Sequence, residues 1–304
     1  MLLANKNYGQ KHYHGNPFGL SHIGDGHRLC DVEHGGTLRP AKQGEFSSRM
    51  LMFGNCWIKG TPWTHPDSIP TTTEWFYWDN PQLPHLLYQG VWNPKGYKNW
   101  CRIVEGNTAT QTATPIRTGQ TGSARINRQL GEVTNGTITH WHDIVGDRHD
   151  CRLRGDVVML CPPSGPVFQH YYATTKGLWI HRWRITLERR GYTVIIRDKP
   201  IREKREQHQN RLYQQLQKKQ IAFTVSIHSV SAIESILAGV PAVVEGRHPA
   251  DNIGTAADKF LQTGEINTPT VQEQNIWIER LLMDTFHKTE CYDGSWYNGE
   301  QHER

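Results

Sequence analysis

From residue 156 to the end of the 280s, short apolar runs rich in β-branched residues alternate with longer amphipathic or polar segments. "DVVMLCPP" (156–163) predicts a buried strand, and "TTKGLWIHRWRITLERRG" (174–191) predicts a helix with Leu178, Trp179, Trp183 and Leu187 on one broad apolar stripe, stopped at Gly191. "YTVIIRDKP" (192–200) predicts the next strand, and "REKREQHQNRLYQQLQKK" (202–219) a very polar helix. "IAFTVSIH" (221–228), "SAIESILAG" (231–239), "PAVVEG" (241–246) and "VQEQNIWIERLLMDTFHK" (271–288) continue the alternation as strand, helix, strand and helix. Two antiparallel strands need only a hairpin, whereas parallel neighbours need a crossover, usually a helix. The pattern therefore predicts an α/β fold with a doubly wound, Rossmann-like parallel sheet in residues 151–304.

The first half reads differently. Residues 1–150 are rich in Trp, Gly, His and Pro and show little helical period, so we expect an irregular, strand-rich region there. "RMLMFGNCWI" (49–58) and "PHLLYQGVW" (84–92) read as strands. Residues 105–139, rich in Thr, Gly and Asn with few large apolar groups, read as a long exposed loop or mobile flap. A chain of 304 residues is long enough for these two domains and their cores. Its six cysteines stand singly without a C-x-x-C pair, which excludes a zinc framework and favours reduced, buried thiols. No apolar run is long enough to span a bilayer and no signal-peptide core is visible, so we expect a cytoplasmic protein without a membrane partner. The net charge of +5 is compatible with polyanionic partners and identifies none.

In an open α/β sheet, ligands gather beyond the carboxyl ends of the strands. The residues just past the four strands are Ser164 and Gly165; Arg197 and Lys199; His228, Ser229 and Ser231, with Glu234 one turn into the helix; and Glu245, Arg247 and His248. Two cations, several hydroxyls and a helix start suit a diphosphate, and a carboxylate beside them suits the hydroxyls of a ribose. Each also has a structural reading. Ser231-x-x-Glu234 fits a capping box, Ser229 can satisfy helix donors, His228 can be a packed core residue, and Arg197 and Lys199 can be solvated strand-end charges. Gly239 followed by Pro241 reads as a helix stop. "THWHDIVGDRHD" (139–150) invites a metal reading through His140, His142, Asp143, His149 and Asp150. We expect solvated polar side chains there instead, because Asp143 follows His142 directly, whereas the metallohydrolase pattern has its Asp two places after the second His.

The run "HSVSAIESILAGVPAVV" resembles the C-terminal donor-binding domain of GT-B glycosyltransferases. "VVMLCPPSGP", "VIIRDKP" and "IWIERLLMDTFHKTECYDGSWYN" are similar to a group of phage-encoded proteins of glycosyltransferase type. The resemblance covers about residues 155–297, half of the chain. It implies a GT-B-like fold, transfer of a sugar from a nucleotide-diphosphate sugar to an acceptor, and no required metal or other cofactor. Carried over, Glu234 matches the ribose-binding acid, Ser229 and Ser231 the phosphate-loop hydroxyls, and Arg197 and Lys199 the basic strand ends, with His228 beside the phosphates and Ser164 on the first loop. The phage setting makes a modified base in DNA a candidate acceptor, which an enzyme reaches by extruding the base. The first half departs from the GT-B pattern by lacking βα alternation. There, Asp25 and Asp31, in the Gly-rich "GLSHIGDGHRLCDVEHGG" (19–36), are the candidates for a base at the acceptor hydroxyl. The competing expectation, from a different class, is a non-catalytic binding or virion-associated protein that keeps a decayed GT-B domain.

Overall fold

The computed structural model describes the backbone of residues 29–32, 38–40 and 49–53, together with 72, 74–79, 83, 100–105, 122–137, 139–163, 168, 174–198, 212, 215–216, 220–227, 229–246, 248–287, 290 and 296–297. The chain divides into two compact units: Met1–Ile144 with Glu279–Arg304, and Val145–Ile278.

The first unit is built on a six-stranded mixed sheet. Its strands are β1 (Leu29–Val32), β2 (Leu38–Pro40), β3 (Arg49–Phe53), β4 (Glu74–Asp79), β5 (Trp100–Glu105) and β11 (Thr285–His287), in the order β11-β5-β4-β3-β1-β2. Only β3 and β4 run parallel, and the other pairs are antiparallel. The expected strand-rich character is therefore organised into one sheet. The expected strand at 84–92 lies outside the described residues.

Two expectations are corrected in this unit. Part of the segment read as a loop, 105–139, is helical: α1 spans Gly122–Val133 and buries Arg125, Ile126, Gln129 and Leu130. Those positions share one face at helical spacing, but half of that face is polar, so a search for apolar periodicity passes over it. Arg125 reaches both carboxylate oxygens of Glu290 at 2.9 and 3.0 Å, the carbonyls of Leu282 and Thr285, and the ring of Phe286 at 4.5 Å. The second correction is the boundary at 150/151. Residues 279–304 pack with the first unit, where β11 pairs with β5 and a buried Arg102–Asp284 ion pair of 2.7 Å holds the strand's start. Burial pushes the Asp284 carboxyl above its usual range, with Arg102 and Arg125 pulling the other way. Charges this deep are tolerated only when paired.

The second unit carries a five-stranded, wholly parallel sheet of β6 (Val157–Cys161), β7 (Thr193–Ile196), β8 (Ile221–Ile227), β9 (Ala242–Glu245) and β10 (Thr255–Ala256). Its order is β10-β9-β8-β6-β7. Numbered within the unit, that is 2-1-3-4-5, the flavodoxin-like doubly wound arrangement. The helices are α3 (Lys176–Glu188), α4 (Ser231–Leu237), α5 (Ala257–Thr263) and α6 (Val271–Met283), and Leu212, Gln215 and Leu216 are also helical. A short helix, α2 (Trp141–Val145), stands where the division between the units falls.

Every residue of β8 is buried, as its central position demands. One face packs Val158, Leu160, Phe223, Val225 and Val243 against Trp179, Trp183 and Leu187 of α3 and Phe260 of α5. The other face places Met159 and Cys161 with Leu212, Leu216, Ala238 and Val240. α3 begins where Thr175 accepts the Leu178 amide, and Trp179, Trp183 and Leu187 face the core as expected. Leu178 does not: it is 62% exposed, because one residue of helix turns about 100° away from its neighbour.

Gly239 ends α4 as expected, with φ +73°. The amide of Gly239 donates to Ile236 and that of Val240 to Ser235, the bond pair of a Schellman stop. A Cβ here would meet the Cβ of His149 at 3.3 Å. No helix among the described residues is long and apolar enough to cross a membrane.

Candidate functional site at the carboxyl edge of the parallel sheet

In the 2-1-3-4-5 order the winding reverses between β6 and β8, and it is beyond the carboxyl ends of strands at such a switch point that open α/β sheets bind their ligands. Cys161 closes β6 and pairs in register with Ser226 of β8. The next strand over, β7, hands its ladder on to Arg197, whose amide donates to Leu160 at 2.9 Å. Arg197 is half-buried there, and its neighbour Asp198 is engaged by Lys176 at 2.5 Å.

The Cys161 thiol reports what surrounds it. It is pushed up to about 12, first by burial, against the opposing pull of Arg197 and a side-chain hydrogen bond with Ser231, with a smaller push from Glu234. The sulfur thus bonds to Ser231 at the start of α4, the helix after β8, and feels the charges of Arg197 and Glu234. Such a thiol stays protonated at neutral pH and is no nucleophile. The sequence reading placed Cys161 in a strand without assigning it to the site; its position as the last residue of a switch-point strand was the available signal.

The loop after β8 is held by its own hydroxyls. Ser229 Oγ accepts from the Ser231 hydroxyl at 2.8 Å and from the Ser231 amide at 3.3 Å. The capping box expected of Ser231 and Glu234 does not form: α4 starts at Ser231, its N-cap is Val230 in helical geometry, and the Glu234 amide donates to the Val230 carbonyl, while Ser229 Oγ satisfies the first helical amide, as its structural reading expects. Ser231 is therefore inside the helix, where its hydroxyl turns to Ser229, and Glu234 sits half-buried one turn on. With seven residues α4 sums few peptide dipoles, so the side chains carry more of the local electrostatics than the helix end does. Deeper in β8, the hydroxyls of Ser226 and Thr224 are buried and make no hydrogen bond within the described structure.

The loop after β9 adds two groups. The Glu245 carboxylate is held by the indole N–H groups of Trp179 and Trp183, both at 2.7 Å to the same oxygen, and by Arg182 on the other. Its job is to lock α3 to the sheet. His248 is 1% exposed and its Nε2 lies 2.7 Å from the Ser229 carbonyl. It ties the β9 loop to the β8 loop.

Of the expected site residues, Ser229 and Ser231 are hydrogen-bonded to each other past β8, Glu234 lies one turn into α4, and Arg197 follows β7 with its amide on Leu160 of β6. Ser164, Lys199, His228 and Asp25 lie outside the described residues. Asp31 is in β1, with its backbone paired opposite Arg39 and Met50, and its side chain is outside the described residues. The residues once considered for a metal are spoken for otherwise. The Asp143 carboxylate accepts the His140 amide, and Asp150 accepts the Val271 amide at the start of α6. His140 and His142 stack at 4.6 Å. Among the described residues no three His, Cys, Asp or Glu side chains gather as a metal site. Compared with protein-family models, curated proteins and solved structures, the chain finds no match, so the geometry at the ends of β6, β7 and β8 stands as the basis for reading its function.

Proposed function

We propose that this edge binds the diphosphate of a nucleotide sugar and that the protein is a glycosyltransferase of GT-B type, with a modified base in DNA as the acceptor. The observation that carries the reading is that Arg197, just past β7, and the hydrogen-bonded Ser229–Ser231 pair, just past β8, stand at the carboxyl edge of one parallel sheet beside its switch point. A cation and hydroxyls suit a diphosphate, and a half-buried carboxylate suits the two hydroxyls of a ribose. In this reading Arg197 and Lys199 neutralise the phosphates, Ser229 and Ser231 hydrogen-bond them, Glu234 takes the ribose, and His228 and Ser164 line the same cleft. Departure of a nucleoside diphosphate is then assisted electrostatically by fixed side chains, without a required metal. A base near the acceptor, Asp25 or Asp31, removes the hydroxyl proton.

A thermal-shift panel of nucleotide sugars tests this. A rise with a uridine or guanosine diphosphate sugar supports the transferase, and a panel with no response favours the non-catalytic binding protein. Glu234→Gln refines the assignment. The Glu234 amide is bonded to the Val230 carbonyl and not to the Ser231 hydroxyl, so the substitution is expected to weaken donor binding by about 1–3 kcal/mol and to move the unfolding midpoint less than the loss of a helix cap would. A lowered midpoint with unchanged donor affinity would return Glu234 to a purely structural role.

A further inference from the structure

We propose that His248 is a positioning residue for the donor loop: as a neutral imidazole protonated on Nε2 it holds the Ser229 carbonyl, and taking up a second proton releases the loop. The inference rests on the reading of this edge as a nucleotide site and adds the residue that shapes it and the condition that opens it.

The partners of the ring decide its state. Nε2 is 2.7 Å from a carbonyl oxygen, which can only accept, so Nε2 carries the hydrogen. Nδ1 receives the Ala250 amide at 3.0 Å, so Nδ1 presents its lone pair. Both nitrogens are thus engaged in the sense that only one neutral tautomer satisfies. A proton on Nδ1 would face the Ala250 N–H, donor against donor, at a residue that is 1% exposed, so the cationic ring must leave this seat, and its Nε2–H then leaves the Ser229 carbonyl.

The turn around His248 is built to keep the ring still. The His248 amide donates to Asp251 Oδ2 at 2.7 Å, the Asp251 amide donates back to the His248 carbonyl at 2.9 Å, and the Trp277 indole of α6 donates to Pro249 at 2.8 Å. The held carbonyl is shared, since Ser229 O also accepts the Ala232 amide at 3.2 Å. Through that one oxygen His248 places Ser229, whose hydroxyl in turn places Ser231. Among the described residues bonded to this turn, the titratable group is Asp251, which favours the cation and so works against the lock. From the β8–α4 side the partner is a carbonyl, and from α6 it is an indole.

The sign of the pH effect separates this from a histidine that contacts phosphate. The held loop excludes a proton that the released loop accepts, so acid opens it and weakens binding. A phosphate-contacting imidazole would do the reverse, since its cation attracts the anion.

Nitrogen-15 NMR of the full chain, from about pH 8 to about pH 5, reads the ring directly. The expected result is Nε2–H with bare Nδ1 at the upper end, and a protection factor of the Ala232 amide that falls by at least about tenfold on acidification. His248→Gln keeps a donor for the Ser229 carbonyl and cannot titrate, so it should stay protected across the range. An Nδ1–H tautomer at the upper end, protection that ignores pH in the wild type, or an acid response kept in His248→Gln would each overturn the proposal. Uridine diphosphate glucose, whose diester does not titrate in this range, is then added. Its affinity should weaken with acid in the wild type and not in His248→Gln, and tighter binding in acid would overturn the proposal. Absence of binding at about pH 8 with the ring and loop behaving as stated would sink the nucleotide reading and leave the lock standing.

Discussion

The two sheets handle their polar residues in opposite ways. In the mixed sheet, charged groups go inward and pair: Arg102 with Asp284, and Arg125 with Glu290, each at most 7% exposed at the side chain. In the parallel sheet the described core is apolar apart from small hydroxyls, and Arg197, Ser229, Ser231 and Glu234 stand at one edge. Each arrangement follows from topology. A parallel sheet is covered on both faces and leaves its polar groups only the strand ends. The mixed sheet takes its outermost strand, β11, from residues far along the chain, and specific charge pairs fix where that strand docks. Buried charges in the first unit are therefore structural, and the residues proposed to bind stand at the edge of the second.

The sharpest way to break this contrast is to remove one member of a buried pair. Glu290→Ala leaves Arg125 buried without its carboxylate and is expected to cost about 3–5 kcal/mol. The Arg125→Met/Glu290→Leu pair is expected to restore most of that. Hydrogen exchange at β5 and β11 locates the effect; if those amides stay protected in Glu290→Ala, the pair does not hold the strand.

In the second unit, Gly239→Ala should cost about 1–2 kcal/mol, because a Cβ is strained at positive φ and meets His149. Denaturant titration measures it, and a neutral result would mean that the α4 stop adopts another geometry. The two thiols of this unit sharpen the comparison through pH. Cys151 and Cys161 are each pushed up to about 12, mainly by burial. Since the folded values lie above the unfolded ones, their contribution is whole below the ordinary thiol range and is lost as pH climbs towards the folded value. Above about pH 8.5 the second unit should lose about 1.4 kcal/mol per pH unit for each thiol. Cys→Ala at either site should halve that slope in an alkaline denaturation series. The smallest effect is expected of Trp183→Phe, which keeps the ring and removes one donor to Glu245, at about 1 kcal/mol.

Local rules were legible where they acted alone. The alternation of residues 156–246 revealed four strands of the parallel sheet, and the Gly239–Pro241 pair its α4 stop, whereas the helix expected over 271–288 ends at Met283 and gives way to β11. What escaped depends on distant partners. α1 is stable with a half-polar face because Glu290, 165 positions away, neutralises Arg125. The pairing of β11 with β5 joins Phe286 to Cys101 and leaves no local trace. The capping box failed because Ser229 supplied a nearer partner for the Ser231 hydroxyl. β10 and α5 went unread, since a two-residue strand carries too little period to register.

The central claim is that loops after β6, β7 and β8 meet to hold a nucleotide diphosphate. Calorimetric titration of uridine and guanosine diphosphate into the wild type and Arg197→Ala tests it most directly. The account predicts saturable binding of one of them, weakened about tenfold, or about 1.4 kcal/mol, by the substitution, with the unfolding midpoint unchanged. Equal affinity in the two proteins, or binding of neither nucleotide to the wild type, would contradict it.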